Sequence, residues 1–255
     1  MPFPPFQQLP GHVHRFSISR EQFAKLPKDA RVAAIVLGNI ANEIATLYRV
    51  IILSSQSPSH VTDRSYQTVQ FTVLSRLLIG KVAEGCQFFK NRLLSQRDTR
   101  DLVASIEAEP EGKALVRSIK ASTSGSGLLA RIRNEHIFHH PADEELESAF
   151  QRVGASDADW SFLTAEQAHT LCFPAANTIG LLAMLNEAHE DNLAANERLS
   201  TETMEAAGSL LEFAQAFYVA LQNKYDLVDL IEPVRDVTTH PLVEDAQIPP
   251  ILRST

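Results

Sequence analysis

Cysteine and glycine are scarce in this sequence. The chain of 255 residues contains two cysteines, Cys86 and Cys172, which are too few for a disulfide framework and favour a reducing compartment. Only 10 residues are glycine, and long stretches carry neither glycine nor proline. Because many short strands need many turns, this scarcity of turn residues favours long helices. The sequence therefore predicts an all-α fold.

A secretion signal and an uninterrupted membrane-spanning run are also missing. Residues 1–19 carry no basic segment followed by a continuous apolar one. The most apolar run, residues 32–53, is interrupted by two asparagines, Glu43 and Arg49, which would be costly in a bilayer. We therefore interpret this run as a buried helix, and we expect a cytoplasmic protein that does not bind a membrane.

The common catalytic signatures and a positive net charge are absent as well. The sequence has no G-x-S-x-G, no G-x-G-x-x-G, no GK[ST] loop and no C-x-x-C, so ordinary nucleophile and phosphate-loop chemistry is not indicated. The net charge of -8 argues against a broad electrostatic surface for nucleic acid.

Positive charge is nevertheless concentrated in one segment. Residues 112–133 hold basic residues with no acid between them, whereas residues 142–231 are mainly acidic. The basic residues are Lys113, Arg117, Lys120, Arg131 and Arg133. A polyanion would have to approach the first segment, although solvated helix faces produce the same pattern.

Apolar residues recur at helical spacing along most of the chain. This periodicity predicts long helices over about residues 29–54, 63–94 and 201–223, with shorter helices between them. The first two form a predicted hairpin, so the predicted architecture is an antiparallel bundle of long helices with short accessory helices. The buried stripe of the second helix is predicted to comprise Val69, Val73, Leu77, Leu78, Val82, Cys86, Phe89 and Leu93.

The ends of the chain differ from this helical region. Ser19 and Gln22 have capping-box spacing, which predicts that a short helix starts there. Proline is frequent before this point and again near the C-terminus. We therefore expect a Pro-rich arm over residues 1–18, a single helical domain over residues 19–231, and an irregular tail over residues 232–255.

The chemistry of the chain is concentrated in residues 127–141, which read GLLARIRNEHIFHHP. The segment opens like a helix, with Ser126 as a candidate N-cap. Pro141 biases His140 away from helical geometry, so the histidines lie at or near the C-terminus of the predicted helix. That end of a helix favours a protonated imidazole, which suits a group that must carry a proton.

One arginine and three histidines lie close together in this segment. Arg133, His136 and His140 share a face of a regular helix, and His139 lies about 120° away from Arg133. A guanidinium holds a phosphate through two parallel donors and stabilises the charge on its oxygens. An imidazole, with an unperturbed pKa of about 6.5, exchanges a proton with an attacking hydroxyl near neutrality. These residue types suit RNA cleavage through the 2'-hydroxyl, which needs no metal and no other cofactor.

At these residues the sequence resembles the HEPN superfamily, the "higher eukaryotes and prokaryotes nucleotide-binding" helical domains. Arg133, the polar Asn134 and His139 after five intervening residues fit its pattern, and RNEHIFHH resembles the abortive-infection and toxin branch. The resemblance implies a metal-independent endoribonuclease, built as a homodimer in which two Arg and His pairs meet at a shared cleft. It further implies that the protein is a toxin or phage-defence effector and that its partner would be an antitoxin or another protein.

The resemblance also implies a role for each residue. Arg133 would bind and polarise the phosphate, Asn134 would orient the phosphate or the histidine, and His139 would be the acid or base. His140 satisfies the same spacing as His139, so both are candidates for that role. The predicted RNA-binding residues around this centre are Arg131, Lys120, Arg117 and His136.

Other interpretations of the same residues stay open. A non-catalytic module of this fold would hold a nucleotide or a protein partner and cut nothing. Arg133 and the histidines could form a polar network that ties the helices together. His136 and His140, with Glu135 adjacent, could ligate zinc, although no second ligand cluster is evident. Trp160 is interpreted as a core anchor rather than a base-stacking platform.

Overall fold

Long helices dominate the protein in a computed structural model that describes residues 14–54, 61–122, 142–154, 160, 163–165, 170–185, 192–227 and 230–233. The predicted all-α fold class is confirmed. The helices are α1 (Arg20–Lys25), α2 (Lys28–Ser54), α3 (Val61–Phe88), α4 (Arg97–Glu107), α5 (Pro110–Ser122), α6 (Asp143–Arg152), α7 (Pro174–Leu185) and α8 (Asn192–Tyr225). A π-helical turn, Phe89–Leu93, continues α3.

Two short antiparallel strand pairs accompany the helices. β1 (His14–Ser17) pairs with β4 (Leu230–Pro233), and β2 (Leu163–Ala165) pairs with β3 (Thr170–Cys172). Neither pair is predicted from the sequence. The β1–β4 ladder joins the end of the predicted arm to the start of the predicted tail, and the division into arm, domain and tail stays a prediction.

The start of α1 is fixed by the predicted capping box. The backbone N–H of Gln22 donates to Ser19 Oγ at 3.1 Å, and the backbone N–H of Ser19 donates to Gln22 Oε1 at 3.2 Å. These reciprocal bonds satisfy backbone donors that the first helical turn leaves without partners. The helix then ends at Lys25, ahead of Pro27.

α2 contributes one apolar face to the core. Among the described residues it is the one helix that is long and apolar enough to cross a membrane. It packs against α3 and α8 through buried side chains that include Leu37, Ile40 and Ile44. Its opposite face exposes Asn39, Asn42, Glu43, Thr46 and Arg49. Because polar and charged side chains are unfavourable in lipid, this arrangement fits the interpretation of the apolar run as a core helix.

The buried stripe of α3 follows its predicted course only in part. Leu78, Val82 and Cys86 are buried as predicted, but Val73 and Leu77 are each 44% exposed. Neighbouring residues lie 100° apart around a helix, so Val73 and Leu77 lie beside the stripe that Leu78 and Val82 define. That stripe continues instead through Phe71 and Leu74, which pack against the core.

Aromatic side chains from α3 and α8 fill the centre of the core. Phe89, at the start of the π turn, meets Phe213 edge to face with ring centroids 5.1 Å apart, and Phe213 lies 6.1 Å from Phe217. All three side chains are almost fully buried. Edge-to-face rings add to the stabilisation that burial alone supplies. The long helices are therefore held together at a well-packed aromatic centre.

Candidate functional site

The predicted catalytic residues lie outside the described part of the chain. Arg133, Asn134, His139 and His140 fall within residues 123–141, between α5 and α6. The predicted RNA-binding residues Arg131 and His136 lie in the same interval, whereas Arg117 and Lys120 lie on α5. The catalytic assignment therefore stays a prediction, and the structure describes the two helices that lead into and out of the motif.

α5, which leads into the motif, is firmly held. It packs against α4 and α8, and its side chains Val116 and Ile119 are fully buried. The hydroxyl oxygens of Ser118 and Ser209, on α5 and α8, lie 2.8 Å apart and share a hydrogen bond. In the final turn, Ser122 Oγ donates to the carbonyl oxygen of Ser118 at 3.1 Å. The chain therefore enters the motif from a fixed position on the core.

The exposed face of α5 is basic. Lys113, Arg117 and Lys120 are exposed at positions i, i+4 and i+7, so they share one face over about 10 Å of helix. The structure thus brings together the two predicted RNA-binding residues that it describes. Lys120 Nζ lies 2.7 Å from Glu107 Oε1 on α4. In space, therefore, a carboxylate adjoins a segment that is free of acids in sequence.

α6, which follows the motif in sequence, is anchored by its packing against α7. α7 in turn contacts α3 and α8, and Ala149 of α6 is fully buried. The backbone N–H of Ala142 donates to Glu145 Oε2 at 2.8 Å. The first turn also holds Asp143 and Glu144, whose charges suit the positive end of the helix dipole. The motif thus links a basic exposed face on α5 to an acidic helix start on α6.

An exposed aromatic pair lies at the far end of α6. The rings of Phe150 and Trp160 meet edge to face, with centroids 5.9 Å apart and an interplanar angle of 88°. Phe150 is 43% exposed and Trp160 is 37% exposed. The interpretation of Trp160 as a core anchor is therefore wrong, because its partner is another surface ring rather than the core.

Among the described residues there is no competing metal site, and the thiol of Cys86 is not a competing nucleophile. No group of three or more His, Cys, Asp or Glu side chains in this part of the chain is arranged to hold a metal ion. Cys86 is buried, and burial raises the pKa of its thiol to about 12. The thiol is protonated at neutral pH and inaccessible, so it is unsuited to act as a nucleophile.

A small pocket lies between α1 and the end of α8. Its lining comprises Gln22, Lys25, Leu26, Tyr225, Asp226 and Leu227. Burial, and then the charges of Asp98 and Asp101, raise the pKa of Tyr225, so its hydroxyl stays protonated at neutral pH. The Tyr225 hydroxyl is therefore unsuited to act as a general base in this pocket.

Comparisons with family models, with curated proteins and with solved structures find no match for this chain. The functional interpretation therefore depends on the motif in residues 127–141 and on the chemistry of the helices beside it.

Proposed function

We propose that the protein is a HEPN-type, metal-independent endoribonuclease that cleaves RNA through the 2'-hydroxyl. The observation that carries the proposal is the motif itself, Arg133 followed by Asn134 and by His139 and His140. The confirmed all-α fold class supports it, since the resemblance is to a helical domain. The basic face of α5 supports it further, because it leads directly into the motif and carries charge of the sign that RNA phosphates require.

The proposed reaction needs two proton transfers at one phosphate. An imidazole, from His139 or His140, takes the proton of the 2'-hydroxyl, and the 2'-oxygen then forms a bond to phosphorus. The bond between phosphorus and the 5'-oxygen breaks, and that oxygen takes a proton from a second, protonated imidazole. Arg133 holds the phosphate oxygens while their negative charge grows. The products are a 2',3'-cyclic phosphate and a 5'-hydroxyl.

We propose that a homodimer forms the complete site. One phosphate then meets two arginines and the histidines of two motifs, so that a base and an acid are available together. The proposed cellular role is that of a toxin or phage-defence effector, restrained by an antitoxin or another protein partner. Sedimentation at micromolar concentration tests whether the protein forms a homodimer, and a strict monomer would remove the composite site.

Cleavage in the presence of excess EDTA is the direct test of the activity. We expect the full chain to cut single-stranded RNA under these conditions and to leave 2',3'-cyclic phosphate and 5'-hydroxyl ends. A matched oligonucleotide with 2'-O-methyl groups should stay intact, since it lacks the attacking hydroxyl. If RNA is bound but not cut under any condition, the protein is instead a binding module. Cleavage that depends on a divalent metal would contradict the proposed chemistry.

Glu107→Gln is expected to raise the affinity for RNA by about 2- to 5-fold, the range expected for a partly exposed charge. The substitution removes the carboxylate that lies 2.7 Å from Lys120 Nζ, next to the basic face of α5. Conversely, Arg117→Gln should weaken binding and make the slope of log affinity against log salt shallower by about 0.7. Fluorescence anisotropy with a 2'-O-methyl oligonucleotide at several salt concentrations measures both effects.

Asp101→Asn is the matched control for Glu107→Gln. Asp101 also lies on α4, but its carboxylate is 3.8 Å from Lys224 Nζ on α8 rather than beside α5. Both substitutions change the net charge by the same amount. An equal gain in affinity from the two variants would assign the effect to net charge alone and would remove the α5 face from the proposed binding surface.

A further inference from the structure

We propose that Phe150 and Trp160 form a stacking platform for an unpaired base of the bound RNA. This inference rests on the proposed RNA substrate, but it assigns a residue pair that neither the motif nor the basic face includes. The rings of Phe150 and Trp160 meet at an interplanar angle of 88°, close to the 86° between the buried rings of Phe89 and Phe213. Here, however, ring surface is left in contact with water.

The exposed surface of the two rings matches one base in size and is by itself too small for a stable protein interface. Aromatic side chains bury about 150–250 Å² each when enclosed, so the exposed fractions of 43% and 37% leave roughly 150 Å² in total. A stable protein interface needs about 800 Å² on each partner. An aromatic surface of this size suits one flat ring system, and every nucleobase has a face that stacks on aromatic side chains.

The pair follows the proposed catalytic motif closely in sequence. α6 begins two residues after Pro141, the last residue of the motif, and Phe150 lies seven residues after Asp143. At 1.5 Å per residue, Phe150 is about 10 Å from the start of the helix. A nucleotide next to the cleaved one would extend over a distance of this order to place its base on the pair. The platform would therefore hold a neighbouring base rather than the reacting phosphate.

The charges around the pair favour contact with a base over contact with the backbone. The first turn of α6 is acidic, and Glu147 lies one turn before Phe150, where its Oε1 accepts a hydrogen bond from Gln151 Nε2 at 2.7 Å. These carboxylates repel phosphates, whereas stacking needs only the uncharged base. Arg152 donates from Nη2 to the carbonyl oxygen of Leu182 at 3.3 Å and so helps to fix this end of α6 against α7.

Trp160 makes the inference directly testable, because it is the one tryptophan in the sequence. A 2'-O-methyl oligouridine, which cannot be cut through its 2' position, should quench Trp160 fluorescence at the concentrations where anisotropy detects binding. Inorganic polyphosphate, which carries charge but no bases, should leave the fluorescence unchanged. Phe150→Leu, which keeps an apolar side chain but removes the ring, should weaken oligouridine binding roughly 5- to 150-fold, and Phe150→Tyr should bind like the wild type.

The outcomes separate the platform from the proposed ribonuclease. Binding without quenching, or an unchanged affinity of Phe150→Leu with intact helix content by circular dichroism, would overturn the platform and leave the cleavage proposal standing. A change in Trp160 emission with protein concentration alone would assign the pair to an interface between two copies and would also overturn it. If anisotropy detects no binding of oligouridine, the platform fails, and cleavage of RNA in excess EDTA decides the ribonuclease proposal separately. Quenching without any RNA cleavage would support the platform in a protein that only binds RNA.

Discussion

Arg133→Ala is expected to lower the rate of RNA cleavage by about 10²- to 10³-fold, the usual loss when a donor to the developing negative charge is removed. His139→Ala is expected to lower it by about 10²- to 10⁴-fold if this imidazole transfers a proton. Both values refer to single-turnover rates on end-labelled RNA in excess EDTA. Arg133→Lys should recover only part of the rate, since an ammonium keeps the charge but loses the two parallel donors.

Arg131→Ala and His140→Ala are the controls within the same segment. Arg131 is a predicted RNA contact, so its loss should weaken binding more than it slows the bound reaction. His140→Ala decides between the adjacent histidines: if it slows cleavage as much as the Arg133 variant while His139→Ala does not, the proton-transfer role moves to His140. Full activity of both the Arg133 and the His139 variants would refute the assignment of the motif.

Gly112→Ala is expected to destabilise the protein by about 1–3 kcal/mol. Gly112 is a buried residue in the first turn of α5, and a methyl group there would collide with the carbonyl oxygen of Ile106 on α4. The obstacle is backbone, which cannot rotate away as a side chain can, so α4 and α5 would have to separate. Urea unfolding followed by circular dichroism measures the change in the free energy of unfolding.

Gly208→Ala provides the opposite result from the same chemical change. Gly208 lies within α8, and no atom lies within 4 Å of the position that its methyl group would occupy. Alanine is the better helix former, so this variant should gain about 0.5–1 kcal/mol in the free energy of unfolding. An unchanged stability of Gly112→Ala would mean that the close approach of α5 to Ile106 does not limit the residue at position 112, and a loss of stability in Gly208→Ala would contradict the open space at position 208.

The parts of the fold that the sequence predicts correctly depend on local signals. The capping box of Ser19 and Gln22 needs only residues three positions apart, and α2 begins one residue before its predicted start. α8 begins at Asn192, about nine residues earlier than predicted. Its first turns expose Glu197 and Arg198 to solvent. Residues 192–198 read NLAANER and contain a single large apolar side chain, so the segment carries little apolar periodicity and the sequence pattern does not reveal the helix.

The parts that the sequence does not predict depend on partners that are distant in the chain. Lys120 and Glu107 are separated by 13 residues and lie on different helices, so their ion pair cannot be read from the spacing within either helix. Trp160 is interpreted from the sequence as a core anchor, but it pairs with Phe150 at the surface. The basic face of α5 follows from spacing alone, whereas the arrangement of Arg133 and the histidines is inferred from the motif.

The β1–β4 ladder has a consequence for the order in which the protein folds. It joins His14 to Pro233, which are more than two hundred residues apart in sequence, through a register of four residue pairs. The entropy lost in closing a loop grows with the length of the loop. A ladder of four residue pairs is too weak to offset this loss until the assembled helices hold the two strands close together. The ladder therefore forms after the helices have assembled. By the same reasoning it is the first contact to open, and hydrogen exchange in β1 and β4 should be faster than in the core of α8.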